Sequence, residues 1–304
     1  MDDYDVVVIG GGVAGLTAGL FSARCGRSTL VLESLGPGGT LLNCEHIEDF
    51  PAFPAGVAGF ELGPLLQEQA ASEGAAFRGE HAQHLERRDG GWLVGADSGG
   101  FLARAVVVAT GSRPRRLEVP GEKEFEGKGI SNCASCDGPL FRDRAVAVVG
   151  GGDSGLVEAL ELVKLGIQVT VLEREQALSG QHTYRRRVLE NSAIAVRHHA
   201  VVEEILGDGT VGAIRTRDLH TQEVAELVVS GVFVYTGREP NTEFLRGRLS
   251  LGEGGHIPTD IEMRTELEGV FAAGDVRAKS AGQAVAAAGD GATAALAAHR
   301  YLGA

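Results

Sequence analysis

The chain carries one device twice, and this duplication limits what it can fold into more than any other feature. Near the N-terminus the apolar run Tyr4-Asp5-Val6-Val7-Val8-Ile9 leads into Gly10-Gly11-Gly12-Val13-Ala14-Gly15 and then Leu16-Thr17-Ala18-Gly19-Leu20. Further on, Ala145-Val146-Ala147-Val148-Val149 leads into Gly150-Gly151-Gly152-Asp153-Ser154-Gly155 and a helical stretch from Leu156 to Leu165. Each copy reads as strand, tight turn, helix. In each, a second apolar strand follows, Thr29-Leu30-Val31-Leu32 or Val169-Thr170-Val171-Leu172, and ends in an acid, Glu33 or Glu173. The two acids lie the same distance beyond the last glycine of their turns.

The physical use of this pattern is a dinucleotide. Gly10, Gly12 and Gly15, like Gly150, Gly152 and Gly155, let the turn form, let backbone approach a pyrophosphate and let helix pack on strand. The helix N-terminus then faces the phosphates, and the acid accepts hydrogen bonds from the ribose hydroxyls. In the second copy Asp153, Ser154 and Arg174 join the candidate contacts. Two fingerprints in one chain imply two dinucleotides, and the natural pair is a flavin and a nicotinamide. Two other runs fit this reading. Val106-Val107-Val108-Ala109 is a buried strand ending in the small turn Thr110-Gly111. Gly269-Val270-Phe271-Ala272-Ala273-Gly274 is a strand ending in Asp275, an acid placed to reach a flavin's ribityl or phosphate groups.

Four cysteines in 304 residues do not resemble a secreted disulfide framework. Two are close together, in Cys133-Ala134-Ser135-Cys136, a spacing that closes a disulfide with little backbone movement and opens to a thiolate capable of exchange. The same spacing serves half a zinc site, to which Cys44 and His46 would add two ligands, or a structural disulfide. Nothing else in the chain supports a zinc ribbon. Cys25 and Cys44 otherwise read as small buried residues. A net charge of −13 argues against a nucleic-acid partner. No apolar run approaches the ~20 residues of a membrane-spanning helix, and Val6–Ile9 is too short for a signal peptide. A soluble, cytoplasmic, two-domain protein is expected.

Cys133-Ala134-Ser135-Cys136-Asp137-Gly138, placed just before the second glycine turn, resembles the Cys-Ala-x-Cys-Asp-Gly of the low-molecular-weight thioredoxin reductases, a family of flavin-dependent pyridine nucleotide disulfide reductases. Gly38-Gly39, Glu48-Asp49-Phe50-Pro51, Gly237 with Pro240-Asn241-Thr242, Gly274-Asp275-Val276, Gln283 and Ala287-Ala288-Gly289-Asp290-Gly291 extend the resemblance over nearly the whole chain. It implies an α/β fold of two Rossmann-like three-layer (ββα) domains, the nicotinamide domain (117–242) inserted into the flavin domain (1–116 and 243–304). It implies FAD with NADH or NADPH, a thioredoxin-like protein or other disulfide as substrate, and a homodimer. By the same resemblance Cys136 faces the flavin, Cys133 attacks the substrate disulfide and Asp137 exchanges protons with the dithiol. Gly39, Thr40, Asp49, Thr110, Gly111, Gly274, Asp275, Gln283 and Ala284 fall on flavin-side positions.

The chain departs from that family at the ribose. Its NADPH enzymes place His-Arg-Arg where this sequence has Glu173-Arg174-Glu175, and a carboxylate there accepts from free ribose hydroxyls and repels a 2′-phosphate. NADH is therefore expected ahead of NADPH. The basic run Tyr184-Arg185-Arg186-Arg187 either replaces part of the lost clamp or is a solvated helix face. Thr40 stands for the usual Gln, Asp49 for Asn, and Gly282 for an Arg. Relatives of this fold take electrons from ferredoxin or run as oxygen-using dithiol oxidases, and a flavin redox sensor without turnover is a non-enzymatic alternative. The intact Cys-Ala-Ser-Cys-Asp-Gly core places the reductase reading first.

Overall fold

The fold follows from which strands are apolar on both faces. The computed structural model describes residues 2–303. Strand β1 (Asp3–Ile9) runs into helix α1 (Val13–Arg24) and strand β2 (Thr29–Leu32), followed by helix α2 (Gly59–Ser72) and strands β3 (Ala76–Arg78), β4 (Ala82–Arg88), β5 (Gly91–Ala96) and β6 (Gly99–Val108). Val6, Val7 and Val8 of β1 have no exposed surface. Such a strand is stable only with both faces covered, and each of these side chains contributes roughly 1.5–3 kcal/mol of transfer free energy. Accordingly β1 lies inside a parallel array, β3-β2-β1-β6. The long β6 also pairs antiparallel with β5, and β5 with β4.

The chain then leaves through β7 (Ser112–Pro114) and builds a second set: β8 (Ile130–Ser131), the short helix α3 (Ala134–Asp137), β9 (Ala145–Val149), α4 (Asp153–Lys164), β10 (Gln168–Leu172), α5 (His182–Leu189), β11 (Ile194–Arg197), β12 (Ala200–Asp208), β13 (Thr210–Asp218), β14 (Val224–Val228) and β15 (Gly231–Val234). Here the parallel order is β11-β10-β9-β15-β8, and β12-β13-β14 form a separate antiparallel sheet. The chain returns through β16 (Arg238–Pro240), which pairs with β7, and ends in β17 (Val270–Ala272), parallel to β6, and α6 (Ala284–Tyr301). Two compact units result, one of residues up to Arg113 with those from Glu239 onward, the other Pro114–Arg238.

Each unit has three layers, and the alternation of side chains along its central strands assigns each layer its core. In the first unit Val7, Ile9, Leu30 and Leu32 pack with Leu85, Trp92 and Val94 of the antiparallel layer. On the opposite face Val6, Val8 and Val31 pack with Ala14 and Ala18 of α1 and Ala294, Ala295 and Ala298 of α6. Small residues let these helices close: a Cβ on Gly291 would stand 2.1 Å from the Ala14 carbonyl oxygen. Arg27, after α1, donates to His299 Nδ1 at 3.0 Å and to the Gly303 carbonyl. In the second unit Val146, Val148 and Phe233 meet Leu156, Ala159 and Leu162 of α4, while Ala147, Val149 and Val234 meet Val202, Ile205 and Ile214. Among the described residues no helix is long and apolar enough to cross a membrane.

Candidate active site

The two glycine turns make the same bonds. In the first, Gly10 N–H donates to Leu32 O at 2.8 Å and Gly10 holds φ +109°; in the second, Gly150 N–H donates to Leu172 O at 2.9 Å with φ +118°. A Cβ on Gly15 would stand 1.8 Å from Gly10 O, and one on Gly155 would stand 2.0 Å from Gly150 O. Both helices therefore pack directly on their turns. By contrast, a Cβ on Gly12 would meet nothing within 4 Å, and one on Gly152 would meet only Ser179 Oγ at 3.7 Å. These are the places where backbone is left open to a ligand. Gly12 and Gly152 are also the N-caps of α1 and α4, with no side-chain cap on the helix N–H groups, as a pyrophosphate site requires.

The acids do more than wait for ribose. Glu33 Oε2 accepts from Gly11 N–H at 2.6 Å and Oε1 from Leu35 N–H at 2.7 Å; Glu173 Oε2 accepts from Gly151 N–H at 2.9 Å and Oε1 from Glu175 N–H at 3.0 Å. A carboxylate oxygen has two lone pairs, so each acid ties down its glycine turn and keeps capacity for ribose hydroxyls. The middle glycines are required by this contact. A Cβ on Gly11 would lie 2.7 Å from Glu33 Cβ, and one on Gly151 would lie 2.4 Å from Glu173 Oε2. Sequence reasoning named the first, second and third glycines of the fingerprint and passed over Gly11 and Gly151, although an extra glycine in each turn was the available signal.

Around the first turn the chain brings together most of the residues expected there. A Cβ on Gly39 (φ +58°) would be 3.1 Å from Gly12 Cα, and the exposed Thr40 follows it. Thr110 donates its hydroxyl to Asn241 O at 2.8 Å, Asn241 Nδ2 donates to Thr110 O at 2.9 Å, and Asn241 N–H donates to Gly111 O at 3.1 Å. Gly274 (φ +77°) fits between α1 and α6, where a Cβ would lie 2.9 Å from that of Ala14 and 3.7 Å from that of Ala287. Asp275 accepts from Ser280 at 3.1 Å. Gln283 caps α6 and Ala284 opens it. Asp49 is exposed in the loop closed by the Ile47–Val57 bridge. Asp290, 8% exposed as a side chain, accepts both Arg277 Nε at 2.6 Å and the Gly274 N–H at 3.1 Å, so a buried ion pair fixes the Gly274 turn.

In the second unit Asp153 opens α4 and turns its carboxylate to Gln181, accepting from its N–H at 2.6 Å and its Nε2 at 3.1 Å; Ser154 beside it is exposed. Arg174 is exposed and pairs with Glu175. Tyr184 is buried, while Arg186 and Arg187 are exposed on α5.

The same unit carries the cysteines. Cys133 and Cys136 are joined in a disulfide across α3, with their Cα atoms 5.3 Å apart. Cys133 is 5% exposed and Cys136 is open to solvent. Cys136 N–H donates to Cys133 Sγ at 3.2 Å, and Ser135 Oγ lies 3.3 Å from the same sulfur. Glu158 of α4 accepts from Ala134 N–H at 2.6 Å. Asp137 is bonded to Ser131 Oγ at 2.6 Å. Neither Glu158 nor Ser131 was named from sequence. Among the described residues no group of three or more His, Cys, Asp or Glu side chains is placed to hold a metal ion, and Cys25 and Cys44 stand outside the disulfide.

Two dinucleotide turns and a closed disulfide in one chain define a class: oxidoreductases that work a disulfide with a flavin and a nicotinamide. The chain belongs to the pyridine nucleotide-disulphide oxidoreductase family, matched over residues 4–291. It is 40% identical over 300 residues to the thioredoxin reductase of Treponema pallidum (strain Nichols), covering 99% of this chain and 97% of that one. Among solved structures it is similar to the thioredoxin reductase of Lactococcus lactis, with TM-score 0.95 and 36% identity over 98% of this chain and 99% of that one. The T. acidophilum thioredoxin reductase gives TM-score 0.94 and 34% identity, covering 99% of each chain. The enzyme is thus a FAD-dependent disulfide oxidoreductase of the thioredoxin-reductase kind.

Proposed function

We propose that the first unit retains FAD, that the second takes NADH in preference to NADPH, and that the Cys133–Cys136 dithiol passes electrons to a thioredoxin-like protein or another disulfide. The nucleotides supply hydride chemistry when bound; the chain's own groups bind, orient and move protons. The NADH preference rests on Glu173, 6% exposed at the end of β10 and already holding the Gly151 turn. A ribose 2′-phosphate there would face that carboxylate and Glu175.

For the dithiol the carrying observation is the bonding of the Cys133 sulfur. When the disulfide opens, the Cys136 N–H and the Ser135 hydroxyl support negative charge on Cys133, which suits Cys133 as the interchange thiolate. Its thiolate attacks a substrate sulfur and expels the other as thiolate. Cys136 then attacks Cys133 in the mixed disulfide and releases the reduced substrate. Asp137 carries the proton that the leaving thiolate takes up or the attacking thiol gives away. By the family resemblance Cys136 is the sulfur that would exchange electrons with the flavin. The enzyme works as a cytoplasmic homodimer on this reading, which sedimentation of the holoenzyme tests.

Anaerobic reduction of the holoenzyme with NADH, NADPH or reduced ferredoxin in turn, followed at the flavin band, tests the donor. Faster bleaching by NADH is expected; a large NADPH advantage, or bleaching by ferredoxin alone, overturns the role given to Glu173. Cys133→Ser and Cys136→Ser each abolish disulfide reduction while leaving flavin bound, and turnover retained by either variant ends the dithiol assignment.

A further inference from the structure

We infer that Ser131 is the positioning residue that holds Asp137 for proton transfer in both of its protonation states. The inference rests on the reading of Asp137 as the proton carrier. Ser131 is the last residue of β8, paired with Phe233 of β15, so its backbone belongs to the sheet rather than to the redox turn. Its hydroxyl stands among three polar atoms. Asp137 Oδ2 is 2.6 Å away, Cys133 N–H donates to it at 3.1 Å, and Cys133 O lies 3.3 Å from it as a second acceptor.

This arrangement serves either state of the acid without moving a heavy atom. With Asp137 ionised, Ser131 directs its hydrogen to Oδ2 and accepts from Cys133 N–H. With Asp137 protonated, the carboxyl O–H donates to Ser131 Oγ, which keeps the Cys133 N–H on its other lone pair and turns its own hydrogen to Cys133 O. A hydroxyl has one donor and two acceptor sites; with the acid ionised it uses the donor and one acceptor, and with the acid protonated it uses all three. No proton is lost or gained by Ser131 itself. The carboxyl is thereby tied to the backbone of Cys133, and it stays beside the dithiol as its charge changes.

Among the described residues, two kinds of titratable group join the redox turn itself. They are the two cysteines of its own turn and Glu158, the charged residue of α4 bonded to α3. The Gly138–Phe141 turn and β8 contribute none.

The test is the rate at which dithiothreitol bleaches the flavin of the holoenzyme through the Cys133–Cys136 pair, measured against pH. Ser131→Ala is expected to slow bleaching by about ten-fold or more, the loss of a hydrogen bond to a charged group. It should also change the pH profile of bleaching, because Ser131 bonds Asp137 in both of its states. Ser131→Thr, which keeps the hydroxyl, restores most of the rate. In an Asp137→Asn background the Ser131→Ala change has no further effect. If Asp137→Asn is itself as fast as wild type, the proton-carrier reading fails. If Asp137→Asn is slow but Ser131→Ala matches wild type in rate and pH profile, the positioning role fails alone. A Ser131→Ala loss that persists in the Asp137→Asn background, or that tracks a fall in melting temperature and is not rescued by Thr, reduces Ser131 to a fold contact.

Discussion

The two glycine turns make the same hydrogen bonds, yet their surroundings differ. The first is enclosed by distant segments: the Gly39 loop against Gly12, the Thr110–Gly111 turn locked to Asn241, and the Gly274 turn fixed by the Asp290–Arg277 pair. The second is bordered by Tyr235 and by Ser179 and Gly180, whose N–H groups both donate to Gly151 O at 3.0 Å, with Asp153 in the first turn of α4. No acid occupies the first turn of α1. One loop design thus serves two purposes. On the proposed reading, walls of backbone from distant segments suit a cofactor that stays, while a sparer frame with two carboxylates suits one that exchanges.

The largest effect comes from filling the third glycine of each turn. Gly15→Ala should yield protein purified without flavin, while Gly155→Ala keeps its flavin but is no longer bleached by NADH or NADPH. Both follow from a Cβ placed within about 2 Å of a carbonyl oxygen, 1.8 Å in one and 2.0 Å in the other. Absorbance spectra of the two variants would break the comparison if the losses were exchanged. Next comes Asp290→Asn, which leaves the partly buried Arg277 without its charge partner. The loss of a hydrogen bond to a charged group costs about 1.5–3 kcal/mol, so thermal unfolding should begin earlier and flavin should dissociate on dilution, with nicotinamide affinity unchanged.

Glu173→Gln sharpens the comparison from the other side. Removing one charge beside the ribose should raise the NADPH-to-NADH ratio of kcat/KM by about ten-fold, with flavin content unaltered. The smallest effect belongs to two carboxylates at turns, Asp97 and, at the end of β13, Asp218, one in each unit. Backbone N–H groups of Thr221 and His220 hold Asp218 below its usual range, and the His81 N–H, then the Gln83 amide, do the same for Asp97. A carboxyl lowered in the folded state stabilises above its unfolded value of about 4 and loses that contribution as pH falls through the folded value. Asp218→Asn and Asp97→Asn should therefore lower the urea midpoint slightly at pH 7 and match wild type in strong acid.

What the sequence made legible was whatever is encoded locally. The strand–turn–helix units, their terminal acids and the Cys133–Cys136 spacing each occupy a short window whose residue types have one economical use. The partners of those residues were not legible, because they arrive from elsewhere in the chain. Glu33 is fastened to Gly11, Asp290 to Gly274 and Arg277, and Glu158 to Ala134. Even Ser131, six residues before Asp137, is matched to it only because β8 ends where α3 begins. Thr40 and Ser154 are exposed, so nothing in the packing of the chain itself announces their use.

The packing of α1 against α6 bears on the order in which the protein is made. Everything that completes the second unit lies between Pro114 and Arg238, so it is contiguous on the growing chain. The first unit must wait. Strand β1 and α1 precede that unit on the growing chain, but the small-residue face of α1 stays uncovered, and β6 lacks its β17 neighbour, until β17 and α6 are synthesised. Domains fold as units during translation at about 5–20 residues per second, so the inserted unit is finished while the unit around it is still half built. A nascent chain stalled before α6 should show a protease-resistant fragment within 114–238 and a sensitive N-terminal segment.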